Sequence, residues 1–432
     1  MRHLIAIAVF LISAVQAMAA VDIQQVTSPG GIKAWLVQEP TIPFVALEIN
    51  FEGGAATEPA DKRGVTNLMA GLLEEGTGDM DARAFAKARD SLAASFRFDA
   101  GQDNVTVSAR FLTETSDQAI DLLRQAIVAP NFDDVAVARV RDQVLTGLRS
   151  DLTDPDTIAS TALSAKIYGD HPYASPYEGS VDSVTALTRD DIIAAHKSTM
   201  TRDRVYVGAV GDISAEELGT MLDKLLLGLP ETGAEVPEAA TMAFDGSQQV
   251  IPFDTPQSVA LFAQPALNFD DPDYFAAYIL NHILGGAGFE SRLMTEVREK
   301  RGLTYGISSF MISRDLADVW IGQVASANDR MAETVQVVKD EWARMARDGV
   351  TAEELEQAKT YLTGAYPLRF DSNAAIARIL VGMQSIGRTP EYIETRNDNI
   401  NAVTLEQINA LAARLMDVNK LDFVIVGQPA GL

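Results

Sequence analysis

The sequence contains no cysteine and only four histidines among its 432 residues. The first absence excludes disulfides, thiolate metal sites and cysteine nucleophiles. After the amino terminus the histidines are His171, His196 and His282, and no two of them are three or four positions apart. No helix can therefore present two imidazoles on one face, as a helical zinc motif requires. We expect no metal site in this chain and structural roles for His171 and His282.

Basic residues are also scarce, with 35 Lys and Arg against 60 Asp and Glu and a formal net charge of −25. Such a surface repels phosphate backbones and anionic lipid, so we expect neither nucleic acid nor a membrane surface as a partner. The hydrophobic content of 47% is enough to build more than one core.

The only long apolar stretch lies at the amino terminus. Arg2 precedes an apolar run from Leu4 to Val15, and Ala17-Met18-Ala19 forms a small-x-small cleavage site. Residues 1–20 are predicted to be a signal peptide that is cut after Ala19, which places the protein in the periplasm or outside the cell. An uncleaved anchor is the alternative, although the run is short for a membrane span.

The chain repeats itself at a nearly constant offset. The tripeptide LTG occurs at 145–147 and 362–364, similar phrases surround Thr188 and Thr404, and Val-Gly pairs occur at 210–211 and 426–427. Offsets of 216 to 217 across three separate matches predict two copies of one unit. Strand and helix patterns are grouped within each copy, which favours an α+β fold. We expect halves at 21–229 and 247–432, joined by a linker at 230–246.

One segment, from Leu284 to Phe310, has the pattern of a glycine turn, a helix and a strand. Gly285, Gly286 and Gly288 leave their main-chain N–H groups unobstructed. Phe289, Leu293, Met294 and Val297 repeat at helical spacing, Gly302 can end the helix, and Leu303, Tyr305 and Ile307 alternate as in a strand. Arg298 and Tyr305 would then hold a peptide carbonyl or oxyanion. Alternatively, they are a solvated cation and a half-buried strand residue.

This segment resembles the zinc peptidase family of insulin-degrading enzyme, pitrilysin and the mitochondrial processing peptidase. In that family an Arg and a Tyr seven positions apart help to bind substrate, and VREKRGLTY here has that spacing. The resemblance implies two homologous α+β halves that close like a clamshell around a chamber. It also implies substrate binding by Arg298 and Tyr305 beside the glycines at 285, 286 and 288.

The zinc motif of the family does not survive in the sequence. The family has an inverted His-x-x-Glu-His on a helix, and the corresponding text is GVTNLMAGLLEEGT at 64–77. Asn67, Ala70 and Gly71 stand at the three decisive positions, and the third ligand falls on Thr146 or Gly147. None of these residues is a zinc ligand or a general base.

The resemblance therefore implies the zinc-free subunit of a heteromeric peptidase. Such a subunit binds peptide substrates with its Arg and Tyr, while a homologous partner subunit carries the zinc. The chain would be inactive alone and would act in endoproteolysis only with that partner. Two alternatives stay open, namely a non-catalytic peptide-binding or scaffold protein of the same fold and a self-sufficient hydrolase with unrecognised residues.

Overall fold

The computed structural model describes residues 22–432, so the predicted signal peptide with its cleavage site after Ala19 lies outside the described residues. The strands are β1 Ile23–Thr27, β2 Lys33–Gln38, β3 Phe44–Glu52, β4 Gly76–Thr77, β5 Met80–Asp81, β6 Ser95–Ala100, β7 Asn104–Leu112, β8 Val205–Gly211, β9 Gln248–Pro252, β10 Gln257–Pro265, β11 Ile307–Ser313, β12 Asp318–Ala327 and β13 Asp422–Gly427. Several of these strands, such as β3, β7 and β13, are themselves rich in β-branched or aromatic residues.

The α-helices occupy the stretches between the strands, and many begin at a Ser, Thr or Asp whose side chain accepts a main-chain N–H. They are α1 Val65–Ala70, α2 Ala82–Ser91, α3 Ser116–Val128, α4 Asp134–Asp151, α5 Pro155–Tyr168, α6 Val181–Ala186, α7 Arg189–Thr199, α8 Ala215–Leu226, α9 Tyr274–Asn281, α10 Met331–Asp348, α11 Ala352–Ala365, α12 Asn373–Ser385, α13 Tyr392–Ala402 and α14 Leu405–Leu415.

The two main sheets share one topology. The first has the order β6-β7-β3-β8-β2-β1 and the second β11-β12-β10-β13-β9. In both sheets the fourth strand in this order runs parallel to the fifth, while the first four are joined by antiparallel pairs. Matched strands also follow each other in the same chain order. The expected α+β fold with two homologous halves is therefore confirmed.

The sequence matches used to detect the repeat lie at equivalent places. Thr188 caps α7 by accepting the Asp191 N–H, and Thr404 caps α14 by accepting the Gln407 N–H. Gly211 and Gly427 each end a sheet strand with φ of +142° and +148°. A Cβ at either glycine would lie within 2.3 Å of the neighbouring strand. Only glycine suits these two positions.

Each half lends a helix to the other. One face of each sheet is covered by helices of its own half. The opposite face of the second sheet packs against α5, where Leu163 and Ile167 join Leu261 and Val424 in one cluster. The opposite face of the first sheet packs against α12, where Leu380 joins Trp35 and Val210 of that sheet in one cluster. The exchange buries both faces of both sheets and ties the halves together.

The segment between α8 and β9 contains no helix or strand. It is nevertheless hydrogen-bonded to both halves: the Ala234 N–H donates to the Ser198 carbonyl at 2.9 Å, and the Ala240 N–H to the Leu316 carbonyl at 2.8 Å. Over residues 22–432, none of the helices is long and apolar enough to cross a membrane.

Candidate functional site

The helix that carries Arg298 ends where the glycine pattern predicts. Its last turns are π-helical over Met294–Glu299. Gly302 takes φ of +61°, its N–H donates to the Arg298 carbonyl at 2.8 Å, and the Leu303 N–H donates to the Val297 carbonyl at 3.0 Å. A left-handed glycine satisfies the last carbonyls of a helix and reverses the chain. Arg298 therefore lies at the helix end, close to the reversal.

Tyr305 does not lie in a strand as predicted, because β11 begins only at Ile307. It occupies the loop before that strand and its side chain is 88% exposed. The loop is fixed by Thr304, whose hydroxyl donates to the Ala325 carbonyl at 2.7 Å and accepts the Gly306 N–H at 3.1 Å. Within residues 22–432 the Tyr305 hydroxyl has no hydrogen-bond partner. An anchored loop thus presents a free phenol to solvent.

Arg298 is the unpaired cation of its helix. Arg292 pairs with Glu354 at 2.6 Å, while Lys300 and Arg301 both pair with Glu296, at 2.7 and 2.8 Å. In the described part of the chain, Arg298 makes neither an ion pair nor a side-chain hydrogen bond, including none to Tyr305. None of its five N–H donors is therefore used by a side-chain hydrogen bond within these residues.

The Arg298 guanidinium lies 4.6 Å from the centroid of the Phe289 ring. The helical spacing that begins at Phe289 predicts this residue in the helix, but Phe289 lies in the short 3-10 turn Gly288–Glu290 and is 64% exposed. Gly288, with φ of +57°, begins this turn, and the extended Ser291 separates the turn from the helix. The ring instead supports the guanidinium through a cation–π contact. The sequence offered only a weak sign of it, a large apolar residue beside a glycine.

The glycine turn has a packing role. A π-helical turn over His282–Gly286 continues α9. A Cβ on Gly285 would lie 2.4 Å from the Ser309 Oγ and 2.7 Å from its main-chain N, and that hydroxyl donates to Asn281 Oδ1 at 2.8 Å. Gly285 therefore allows β11 to approach the turn closely. Substrate binding by Gly285, Gly286 and Gly288 stays a prediction.

The degenerate zinc motif lies on α1 in the first half. Asn67 is half-buried and Ala70 is 1% exposed within the core. Gly71, expected inside the helix, is instead its C-terminal cap, because α1 ends at Ala70. A Cβ on Gly71 would lie 3.3 Å from Val140 of α4. An amide, a methyl group and a bare backbone cannot supply a zinc shell, so a zinc ion does not fit these residues.

Helix α4, which faces α1, does not supply a substitute ligand. Thr146 is exposed, and its hydroxyl donates to the Asp142 carbonyl at 2.7 Å, while Gly147 has open space around its Cα. The two carboxylates that follow the motif are occupied, Glu74 by Arg89 at 2.9 Å and Glu75 by Arg139. Over residues 22–432, no three His, Cys, Asp or Glu side chains are grouped so that they could hold a metal ion.

The three histidines have local structural contacts. His171 accepts the Tyr173 N–H at Nδ1 and lies 3.1 Å from the Glu238 carbonyl at Nε2. His196 is buried, and its Nε2 is 2.7 Å from the Ile127 carbonyl. His282 is buried and stacks on Tyr361 at 5.0 Å. Burial lowers the pKa of His196 and His282, so both imidazoles are neutral near pH 7.

Family models account for most of the described chain. Residues 33–180 match the model described as Insulinase (Peptidase family M16), and residues 186–362 match the model described as Peptidase M16 inactive domain. The chain belongs to the M16 peptidase family. This confirms the resemblance seen in the sequence.

M16 relatives cover nearly the whole chain and differ in the names they carry. The Helicobacter pylori "Non-peptidase homolog YmxG" is 26% identical, covering 90% of each chain. The Bacillus subtilis "Uncharacterized zinc protease YmxG" is 25% identical, covering 91% of this chain and 95% of its own. A solved structure, the peptidase M16 inactive domain from Pseudomonas fluorescens, matches with a TM-score of 0.88 and 29% identity. The match covers 95% of this chain and 98% of the solved chain. The M16 fold of this chain is therefore shown.

Proposed function

We propose that this chain is the zinc-free subunit of an exported two-subunit M16 peptidase and grips the substrate for a zinc-bearing partner. The observation that carries the proposal is the contrast around Arg298. Its cationic neighbours on the helix are all paired, whereas Arg298 and the exposed phenol of Tyr305 have no polar partner in the described chain. Two donors held ready by Phe289 and Thr304 suit a peptide carbonyl or a developing oxyanion.

The first half supports the same division of labour. Metal-assisted hydrolysis needs ligands and a carboxylate that handles the proton of the metal-bound water. Asn67, Ala70 and Gly71 supply neither, and Thr146 and Gly147 supply no third ligand. The zinc would therefore belong to a homologous subunit, and peptides would be the shared substrate. Export follows from the predicted signal peptide.

Reconstitution tests this proposal. The mature chain should be purified alone, then mixed with a homologous exported chain from the same genome that bears His-x-x-Glu-His. For the chain alone, we expect no stoichiometric zinc after dialysis and no cleavage of fluorogenic peptides. The mixture should form a 1:1 complex with chelator-sensitive activity well above that of the zinc-bearing chain alone. One tightly bound zinc per chain with activity in the unmixed protein would overturn the proposal.

A non-catalytic peptide-binding or scaffold protein of the same fold is the second candidate. The name of the Helicobacter pylori relative, a non-peptidase homologue, favours it. The two candidates separate in the same experiment. If the chain binds peptides but leaves the turnover of every zinc-bearing homologue unchanged, the non-catalytic function is the better description.

A further inference from the structure

A cavity of about 550 Å³ lies beside α12 in the second half. The turn Tyr366–Arg369 and the start of α13 form its other walls. Arg369, Arg378 and Arg396 line it, together with aromatic side chains of Phe269, Tyr366 and Tyr392. Asp371 is the single carboxylate among the lining residues. In a chain of net charge −25, three guanidinium groups around one cavity mark a local reversal of charge.

Arg396 is the innermost of these arginines and is only 6% exposed. Its Nη1 donates to the Asn397 side chain at 3.1 Å and to the Leu362 carbonyl at 3.4 Å, and its guanidinium lies 4.2 Å from the Tyr366 ring centroid. Over residues 22–432 no carboxylate pairs with it, and Nε and Nη2 have no acceptor. A buried cation without a counter-ion is costly, and an anion in the cavity would offset that cost.

The nearby Arg388 shows the usual solution for a cation in this region. It also lies over an aromatic ring, at 4.3 Å from the Phe269 centroid, but it pairs with Asp270 at 2.6 Å. Arg378 and Arg369, at the rim of the cavity, are exposed and have no ion pair within the described residues. The cavity therefore combines a buried unpaired guanidinium with further free positive charge.

Neutral donors and apolar walls complete the cavity. Burial raises the pKa of Tyr392 to about 12, so its phenol stays protonated and can donate a hydrogen bond. Leu368 and Ile386 line the cavity with 75% and 36% of their surfaces exposed. An apolar group bound there would cover both side chains.

We propose that this cavity binds the C-terminal carboxylate of a peptide whose last side chain is apolar. Arg396 would form a two-pronged contact with the carboxylate, and the side chain would lie against Leu368 and Ile386. A carboxylate with an apolar side chain fits better than a phosphate, because a phosphate would leave the apolar wall of Leu368 and Ile386 uncovered. The choice of a peptide rests on the proposed function.

Small probes test the cavity without any partner subunit. N-acetyl-leucine, N-acetyl-leucinamide, the α-amide of N-acetyl-glutamate and inorganic phosphate should be titrated into the mature chain and followed by ligand-observed NMR. We expect N-acetyl-leucine to bind at least 10-fold more tightly than its amide, since the amide lacks the charge. The glutamate probe, whose carboxylate is on the side chain, should bind more weakly than N-acetyl-leucine.

Two arginine variants provide matched controls. Arg396→Lys keeps the charge but loses the planar fork, so N-acetyl-leucine should bind at least 10-fold more weakly. Arg347→Gln should stay within 2-fold of the parent, because Arg347 is an exposed cation that pairs with Asp348 and does not line the cavity. Thermal melting reports whether each variant folds. If Arg396→Lys does not fold, Arg378→Gln at the rim replaces it, with an expected loss of at least 3-fold.

Several results would overturn the assignment. Equal binding of N-acetyl-leucine and its amide would show that the cavity does not read a carboxylate, and tighter binding of phosphate or of the glutamate probe would assign it to a different occupant. An equal loss in Arg347→Gln would show that the effect is not specific to the cavity. None of these titrations involves zinc, Arg298 or Tyr305, so failure here and failure of the reconstitution are independent results.

Discussion

The two halves of the molecule share five strands in the same spatial and chain order, but they differ in how their chemically decisive positions are surrounded. In the first half, Ala70 is embedded in the core, Asn67 is half-buried and Gly71 is exposed, and none of the three is a zinc ligand. In the second half, Arg298 is half-buried beside Phe289 and Tyr305 is exposed, and neither side chain has a hydrogen-bond or ion-pair partner among residues 22–432. The same scaffold therefore carries residues without metal-binding groups at the decisive positions of one half and unpaired hydrogen-bond donors at those of the other half.

This difference shows which constraint acts on each site. A position that has lost its polar function can take any residue that packs well. Free donors beside a set of paired cations are harder to explain by packing, because they add nothing to the core. Core packing accounts for Ala70 in the first half, whereas core packing does not account for the free donors of the second half. Each prediction below perturbs one side of this contrast.

The largest effect is expected from restoring the zinc motif with Asn67→His, Ala70→Glu and Gly71→His. The Ala70→Glu change would place an unpaired carboxylate in a core position that is 1% exposed, which should cost about 3 kcal/mol or more in the free energy of unfolding. Zinc binding should be weak at most, because Thr146 and Gly147 leave the third ligand missing and oriented outer partners are absent. Urea denaturation and equilibrium dialysis with zinc measure both outcomes.

Asn67→His alone is the control, because Asn67 is only half-buried and should tolerate the change. A triple variant that kept the parent stability, bound one zinc and cleaved peptides unaided would show that the first half is nearly intact as an active site. The contrast between the halves would then be broken.

The second prediction concerns Arg298→Ala and Tyr305→Phe in the assembled complex. Removing a positioned donor to an oxyanion costs on the order of 100-fold in rate. The melting temperature should hardly change, because neither side chain has a polar partner in residues 22–432. Arg347→Ala is the matched control, since Arg347 is an exposed cation paired with Asp348 at 2.7 Å, and it should stay within about 2-fold.

Turnover near that of the parent in both site variants, with the complex intact, would reduce Arg298 and Tyr305 to surface residues. The second half would then resemble the first in having no residues that contribute to peptide cleavage.

A third prediction compares one substitution in the two halves. Gly285→Ala should lower the free energy of unfolding by about 1–3 kcal/mol, because the new Cβ meets the Ser309 main chain at 2.7 Å and β11 must shift. Gly71→Ala meets only a Val140 methyl at 3.3 Å, so we expect a change within about 0.5 kcal/mol. Urea denaturation of both variants measures the difference. Equal costs would mean that the glycine turn is not the tighter of the two sites.

Much of the fold could be predicted from the sequence because its signals are local. Alternating residues marked β3 and β7, and the repeated cap and strand-end residues marked the two halves. The exchange of α5 and α12 could not be predicted, since periodicity shows which face of a helix is apolar but not which sheet covers it.

The candidate site was predictable in outline only. The alternation of Leu303, Tyr305 and Ile307 continues the strand pattern, but the Thr304 side chain hydrogen-bonds the local backbone and holds Tyr305 outside the sheet. The buried Arg396 cavity was missed because its lining residues come from separate elements. The arginines at 369, 378 and 396, in a chain of net charge −25, were the one sign of this cavity in the sequence.

The smallest expected effect lies where the halves meet. Asp315, in the turn between β11 and β12, stands near Asp103 and Glu52 of the first half, and the Tyr173 phenol donates to Asp103. Partial burial, followed by the charges of Asp103 and Glu52, raises the pKa of Asp315 to about 7. Arg314 lies 5.0 Å from the Tyr173 ring centroid and is the cation of this group.

Because the pKa of the Asp315 carboxyl is raised in the folded state, the direction in which folding stability changes with pH can be stated. The folded chain binds the Asp315 proton more tightly than the unfolded chain, where the pKa is about 3.9. This contribution to stability is therefore complete below about pH 4 and is lost as the pH rises through about 7.

Asp315→Asn, which stays neutral, should match the parent at about pH 4 and be more stable at about pH 8.5. Solvent screening should limit the gain to about 1 kcal/mol. Thermal melting at both pH values, with the exposed Asp79→Asn as control, measures it. A gain of equal size at the lower pH, or the same gain in the control, would show that the charges at the junction of the halves are not coupled.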